Sequence, residues 1–382
     1  MNKNLLLLNI NHLILRTLIQ GLLPIYPVYI KELGANQSQI GLVMALSYVM
    51  ILSGTWLTGK IMPNFIKPKQ LIVIITIPIV LCMAGLGMVE HWYTLLPINM
   101  LLLFFTGLNF TTANVLTGYY SSNTKVGKSY ANIATASLLG TVIGGFFIGF
   151  ILHDFGYKIG FLIIASLILG SGLVGLLLKE VDIQIKTERI NNRRLAKGWF
   201  LQLLLATFFG GMVMFAAKFA LSLELKEFGY NVKQISNYTA MGTLITLLVP
   251  YIIGKTINDK NTFRYFIFTI FCLLGGVILM LLHINYLPII LIIIALASTF
   301  AYSSKIPASY LIYSKFNIID MAKAQSLLGS ANWISGIVGF LCTGILLNHT
   351  SFEFVCVLLI ILSCVTIYFG FVAKKRAEWL SR

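Results

Sequence analysis

Apolar residues run along this chain in blocks separated by short polar stretches. A bilayer core about 30 Å thick needs roughly 20 apolar residues per helix. On that measure, blocks near 5–29, 40–58, 71–89, 93–118, 130–152 and 161–178 read as spans 1 to 6. After a charged stretch at 179–198, blocks near 199–224, 236–254, 265–282, 287–313, 324–347 and 353–373 read as spans 7 to 12. Irregular backbone is expected only in the turns between them, because lipid offers no partner for free amide groups. The first block keeps Arg16 inside its apolar run and has no small-residue cleavage site before Pro24 and Pro27. It is expected to stay as span 1, not to be removed as a signal peptide.

Composition agrees with the pattern. Of 382 residues 58% are hydrophobic and only 10% charged, with a mean hydropathy of +0.88. Soluble domains carry about 25% charged residues, so a soluble enzyme is excluded, and so much apolar surface excludes disorder. The five cysteines sit singly in apolar stretches with no metal-ligand spacing, so neither a disulfide framework nor a metal site is expected. The net charge of +16 is spread over short loops, which argues against nucleic acid as a partner. Termini, linker and loops on one side hold 21 of the 28 Lys and Arg residues; the opposite loops hold only Lys31, Lys158, Lys226 and Lys233. This bias predicts a multi-pass protein of the inner or plasma membrane with both termini in the cytoplasm.

The chain also repeats itself. Residues 31–40 read KELGANQSQI and residues 226–235 read KEFGYNVKQI, six matches in ten at an offset of 195. The same offset pairs Gly59 with Gly254, Lys60 with Lys255, Gly144 with Gly339 and Gly149 with Gly344. Two parallel six-helix bundles are therefore expected, 1–178 and 199–382, joined by a cytoplasmic linker at 179–198.

Twelve spans, the 6+6 repeat and the Pro-rich exit of span 1 into ELGANQSQIG give a sequence that resembles the major facilitator superfamily, with a general character close to bacterial efflux members. The resemblance implies an all-α membrane fold, two bundles about a pseudo-two-fold axis, and alternating access to a cavity lined by spans 1, 4, 7 and 10. It also implies gating roles for two loops. GKIMPNFIKPK (59–69) stands where the family carries G-x-x-x-D-R-x-G-R-[RK], and contributes Gly59 and Lys60. Its counterpart GKTINDKNTFR (254–264) contributes Gly254, Lys255 and Asp259. Two motifs of drug–proton antiporters are incomplete: Leu103 replaces the Arg four residues before Gly107, and Thr141 replaces the Pro of the span 5 glycine motif.

Three cations fall inside spans: Arg16 in span 1, Lys218 in span 7 and Lys305 in span 10. Each costs about 2.5–3.5 kcal/mol at the bilayer centre, and such residues face a cavity or a partner. No Asp or Glu lies equally deep, so an anionic substrate is the expected counter-charge. Asn9, His12, Arg16 and Gln20 share a stripe about 80° wide on span 1. Tyr302 and Lys305 share a stripe on span 10, Lys218 belongs to one on span 7, and Asn109 adds a neutral amide from span 4. Arg16, Lys218 and Lys305 are expected to clamp the anion in one shared vestibule, with Gln20, Asn9, Asn109 and Tyr302 as hydrogen-bonding groups. His12 titrates near neutral pH and is the candidate for proton coupling.

The expected function is secondary transport of a small organic anion: a carboxylate, a phosphate ester or a citrate-type siderophore. A multidrug exporter for amphipathic compounds is the first alternative and predicts aromatic and Met cavity walls. A transporter-like receptor or scaffold is the second. No nucleophile–base pair or phosphate-cradling loop marks an enzyme, no cofactor is implied, and a monomer in the bilayer is expected.

Overall fold

The computed structural model describes residues 3–61, 67–120, 126–180, 198–282, 286–316 and 318–379. These form α1 Lys3–Leu22, α2 Tyr26–Glu32, α3 Gln37–Ile61, α4 Pro68–Leu86, α5 Trp92–Tyr120 and α6 Val126–Leu176. The second half contains α7 Gly198–Glu227, α8 Val232–Ile245, α9 Leu248–Thr256, α10 Thr262–Leu282, α11 Leu287–Ser303, α12 Lys305–Lys315, α13 Ile318–His349 and α14 Phe352–Trp379. Eleven stretches are long and apolar enough to cross a membrane. One of them, within α6, holds spans 5 and 6 on either side of Gly156, whose φ of 71° turns the chain back. The total is thus the expected twelve.

Three spans predicted as single helices are broken, each next to a proline. Span 1 is α1 followed by α2, interrupted around Pro24; span 8 is α8 and α9, interrupted four residues before Pro250; span 10 is α11 and α12, interrupted three residues before Pro307. A proline inside a helix removes one amide donor and crowds the carbonyl four residues earlier. Each break falls within that reach.

Within the first half, α1 packs against span 5. A Cβ on Gly144 would collide with the Thr17 carbonyl, so only glycine permits this separation. Between halves, α3 crosses α13 and α6 crosses α8. A Cβ on Gly41 would lie 2.6 Å from the Phe340 carbonyl and 2.9 Å from Gly344 Cα. At the other crossing, a Cβ on Gly149 would lie 2.6 Å from Ser236 Cβ, and the Ser236 hydroxyl donates to the Gly145 carbonyl at 2.5 Å. The offset of 195 maps Gly41 onto Ser236 and Gly149 onto Gly344, so the two crossings are one contact used twice.

The face opposite the termini, here the far face, is closed by charge as well. Lys31 pairs with Glu227, and Lys226 reaches Glu32 at 2.6 Å: the duplicated Lys-Glu dipeptides grip each other reciprocally. Lys233 adds a contact to Asp154 at 3.4 Å. His153, 2.7 Å from the Asp154 carboxylate, and then Lys233 hold that carboxyl below its usual range. The far-face ion pairs, the Ser236–Gly145 bond, the Thr141–Tyr302 bond and the ring contacts of Tyr48 all join the halves between the far face and mid-membrane. This arrangement is closed on the far face.

Exposed ion pairs contribute about 0.2–1 kcal/mol each. Neutralising Glu32 and Glu227 together to Gln is therefore expected to raise far-face labelling of a Ser222→Cys reporter several-fold. An unchanged labelling rate at low salt would show that the pairs hold nothing shut.

Candidate functional site

The polar stripe of α1 meets span 4 and span 5 near mid-membrane. The Arg16 guanidinium carbon lies 3.7 Å above the centre of the Phe110 ring, a cation–π contact worth about 0.5–2 kcal/mol. Its Nε–H donates to His12 Nε2 at 3.2 Å, one helical turn away. His12 Nε2 is also 2.9 Å from the Ser137 hydroxyl, which donates to the Ile133 carbonyl. Because Arg16 can only donate, Nε2 is the lone-pair nitrogen, and the neutral ring carries its proton on Nδ1. This pair is no hydrolytic dyad: Ser137 spends its proton on the backbone, and His12 faces a cation where a carboxylate would be needed to orient it. A Cβ on Gly140 would sit 2.8 Å from Arg16 Cβ, so that glycine makes room for the arginine.

One turn further along α1, Gln20 joins a tie that reaches the other half. Thr141 Oγ1 stands 2.7 Å from Gln20 Oε1 and 2.7 Å from the Tyr302 hydroxyl, tying spans 1, 5 and 10 together. Lys218 Nζ lies 5.6 Å from the centre of the Tyr302 ring. Beyond this tie, toward the far face, lies a cavity with about 840 Å³ of empty space, part of it open to solvent. Lys218, Gln20, Thr141, Tyr302, Ser222 and Thr239 supply its polar groups; Met44, Met280, Phe215, Phe219, Phe340 and aliphatic side chains form the rest of the wall.

The three cations do not all line this cavity. Lys218 lines the cavity, whereas Arg16 and Lys305 do not. Lys305 opens α12 just after the break in span 10, where its side chain is exposed and within electrostatic reach of Arg16. Tyr302 lies within reach of both Lys218 and Arg16. The stripe reading found which faces are polar. It could not find a bond bridging the halves, because Thr141 and Tyr302 lie 161 residues apart.

The other expected residues are placed as follows. Asn9 is half-buried on α1, two turns from Arg16, and no hydrogen bond links it to the cluster. Asn109 is fully buried beside Phe110, with neither amide atom bonded. Gly59 and Lys60 lie in the last turn of α3, their side chains outside the described residues. Gly254 and Lys255 end α9, and Asp259 occupies the turn before α10, where Asn258 N–H donates to Asn261 Oδ1 at 2.7 Å. The Asp259 carboxylate lies within electrostatic reach of Tyr310, in the same half. Sequence reasoning missed Phe110, Ser137 and Thr141 as members of the cluster. The last two are a polar pair four residues apart in span 5; Phe110 is an aromatic in an apolar run and gave no signal.

Among the described residues, no group of three His, Cys, Asp or Glu side chains is placed to hold a metal. The family profile of the Major Facilitator Superfamily matches residues 8–318. The chain belongs to the Major Facilitator Superfamily. No curated protein matches it in sequence. In fold, this Major Facilitator chain is similar to the nucleoside transporter NupG, with a TM-score of 0.75 at 14% identity, covering 97% of this chain and 100% of that one. It is also similar to the human organic anion transporter MFSD10, with a TM-score of 0.74 at 12% identity, covering 96% and 98%. A POT family transporter in complex with 5-aminolevulinic acid gives a TM-score of 0.74 at 12% identity, covering 97% and 96%. With helices long and apolar enough to cross a bilayer, this superfamily member is a multi-pass membrane protein of transporter type.

Proposed function

We propose that this superfamily member moves an amphipathic organic anion across the cell membrane by alternating access. The observation that carries the reading is electrostatic. Among the described residues no carboxylate pairs with Arg16, Lys218 or Lys305, although all three sit inside spans. Unpaired cations at this depth are costly, and a negative substrate supplies what they lack. Lys218 takes the anionic group in the cavity, with Gln20 and Tyr302 as directional partners, while the Met and aromatic wall takes the apolar body. Arg16 and Lys305 receive the charge next as the halves rock. Asn109 and Asn9 belong to the same path, His12 is its titrating group, and the loops at Gly59, Lys60, Gly254, Lys255 and Asp259 close the terminal side. The Lys and Arg bias places the termini in the cytoplasm; bundles 1–178 and 199–382 move about the linker 179–198, and the unit is a monomer.

The Met and aromatic wall also favours a second reading, export of assorted amphipathic drugs. One measurement separates the two. The thermal midpoint of purified protein is expected to rise by several degrees with amphipathic carboxylates, sulfonates or phosphate esters, and to stay fixed with cationic dyes. A rise with the dyes alone would reverse the assignment.

A further inference from the structure

We infer that the apolar body of the substrate is seated off the axis between the halves, in a chamber inside the second bundle, and that the substrate is charged at one end only; this rests on the anion reading above. The cavity is not shared evenly. Span 4, expected as a wall, supplies none of the lining among the described residues, whereas span 9 supplies Gly276, Val277 and Met280. Span 9 leaves Phe268, Phe271 and Leu282 exposed on its outer side, while Val277 and Met280 are 1% and 2% exposed. Span 10 adds Ile293 and Ala297, and span 7 adds Ala217. A Cβ on Gly276 would lie 3.6 Å from Ala297 N, so these two residues face each other. Two turns along span 7 from Ala217, a Cβ on Gly210 would strike the Phe300 ring of span 10 at 2.4 Å, so Ala217 looks the same way. Three spans thus converge on residues with one side-chain carbon or none, and the space they leave belongs to the second bundle alone.

The polar groups say which end of the substrate goes where. Lys218, next to Ala217 on span 7, is the cation of the lining. Gln20 accepts the Thr141 hydroxyl on Oε1 at 2.7 Å, which leaves its amide N–H groups to donate. An anionic head is therefore met by an ammonium and an amide. The other hydroxyls offer the opposite. Ser222 gives its hydrogen to the Lys218 carbonyl and Thr239 gives its own to the Ile235 carbonyl, both at 2.9 Å, so each presents only lone pairs. A second charge carried at the far end of the body would meet those lone pairs and the side chains of Val277, Met280 and Ile293. No second cation among the described lining residues would balance it, and an unpaired buried charge is costly. The chemistry selects a monocarboxylate or monosulfonate with an aryl or short alkyl body, and rejects anions charged at both ends.

The test is calorimetric titration of the purified protein with benzenesulfonate, 2-naphthalenesulfonate and 2,6-naphthalenedisulfonate, the last charged at opposite ends of the same two rings. Wild-type protein is expected to bind the two-ring monosulfonate at least about tenfold more tightly than the one-ring compound, because more apolar surface is buried. It is expected to bind the disulfonate at least about 100-fold more weakly than the monosulfonate. Ala297→Leu fills the chamber and should abolish the two-ring preference while leaving benzenesulfonate within about threefold of wild type. Met280→Ala enlarges the chamber and should raise the affinity for 1-pyrenesulfonate by about tenfold; it carries the test if Ala297→Leu does not fold. A disulfonate that binds as tightly as the monosulfonate, or a size preference unmoved in every folded variant, overturns the chamber while leaving the anion reading intact. If no sulfonate binds at millimolar concentration, the anion reading fails and the chamber inference falls with it.

Discussion

Arg16→Gln protein is expected to transport its anion at least about 100-fold more slowly than wild type while inserting and folding normally. A 100-fold loss corresponds to about 2.7 kcal/mol, within reach of one charge-assisted hydrogen bond and the Coulomb attraction behind it. Glutamine keeps the length needed to pack beside Gly140 and a donor able to reach His12, so the loss isolates the charge. Arg16→Lys should fall between the two. An ammonium keeps the charge but cannot lay a planar face on Phe110 while donating sideways to His12. Uptake of a radiolabelled anion into vesicles, normalised to inserted protein, reads the effect. Wild-type rates in Arg16→Gln would remove Arg16 from the substrate path.

Gly344→Leu is expected to hold the carrier open on its far face. A Cβ at that position already lies 2.7 Å from the Gln37 carbonyl and 2.8 Å from Gly41 Cα, both backbone atoms with no rotamer to yield. A leucine adds three more carbons to a seam with no space. Overpacking costs about 1–3 kcal/mol, and the cost falls only on the state in which α3 and α13 are in contact. Labelling of a Ser222→Cys reporter from the far face should accelerate by about tenfold or more, with net transport lost and fold retained. Gly344→Ala should give a smaller shift of the same sign. Slow labelling in Gly344→Leu would mean that the seam closes by some other contact.

The span count and the repeat were legible in the sequence because lipid leaves few choices: a helix must be long and apolar, and a duplicated bundle must keep its register. The polar faces of spans 1 and 10 were legible for the same reason, since residues four apart on a helix share a side. What stayed hidden depended on contacts between distant spans. No spacing rule connects Arg16 to Phe110, or Thr141 to Tyr302. The prolines at 24, 250 and 307 were visible, yet Pro78 and Pro97 sit inside unbroken helices, so a proline alone does not say which span breaks. Lys218 and Lys305 were assigned to one vestibule because both occupy polar faces; the described cavity is lined by Lys218, and Lys305 stands exposed just after the break in span 10.

The reciprocal grip of the Lys-Glu dipeptides has a consequence for the origin of this architecture. Each half carries both members of two contacts in the far-face seam: Lys31 and Glu32 are the counterparts of Lys226 and Glu227, and Gly41 and Gly149 those of Ser236 and Gly344. A six-span half is thus self-complementary, in the isologous sense of a two-fold homodimer. An ancestor of half the present length had the means to clasp a second copy of itself. Joining two such copies then needed only a tether.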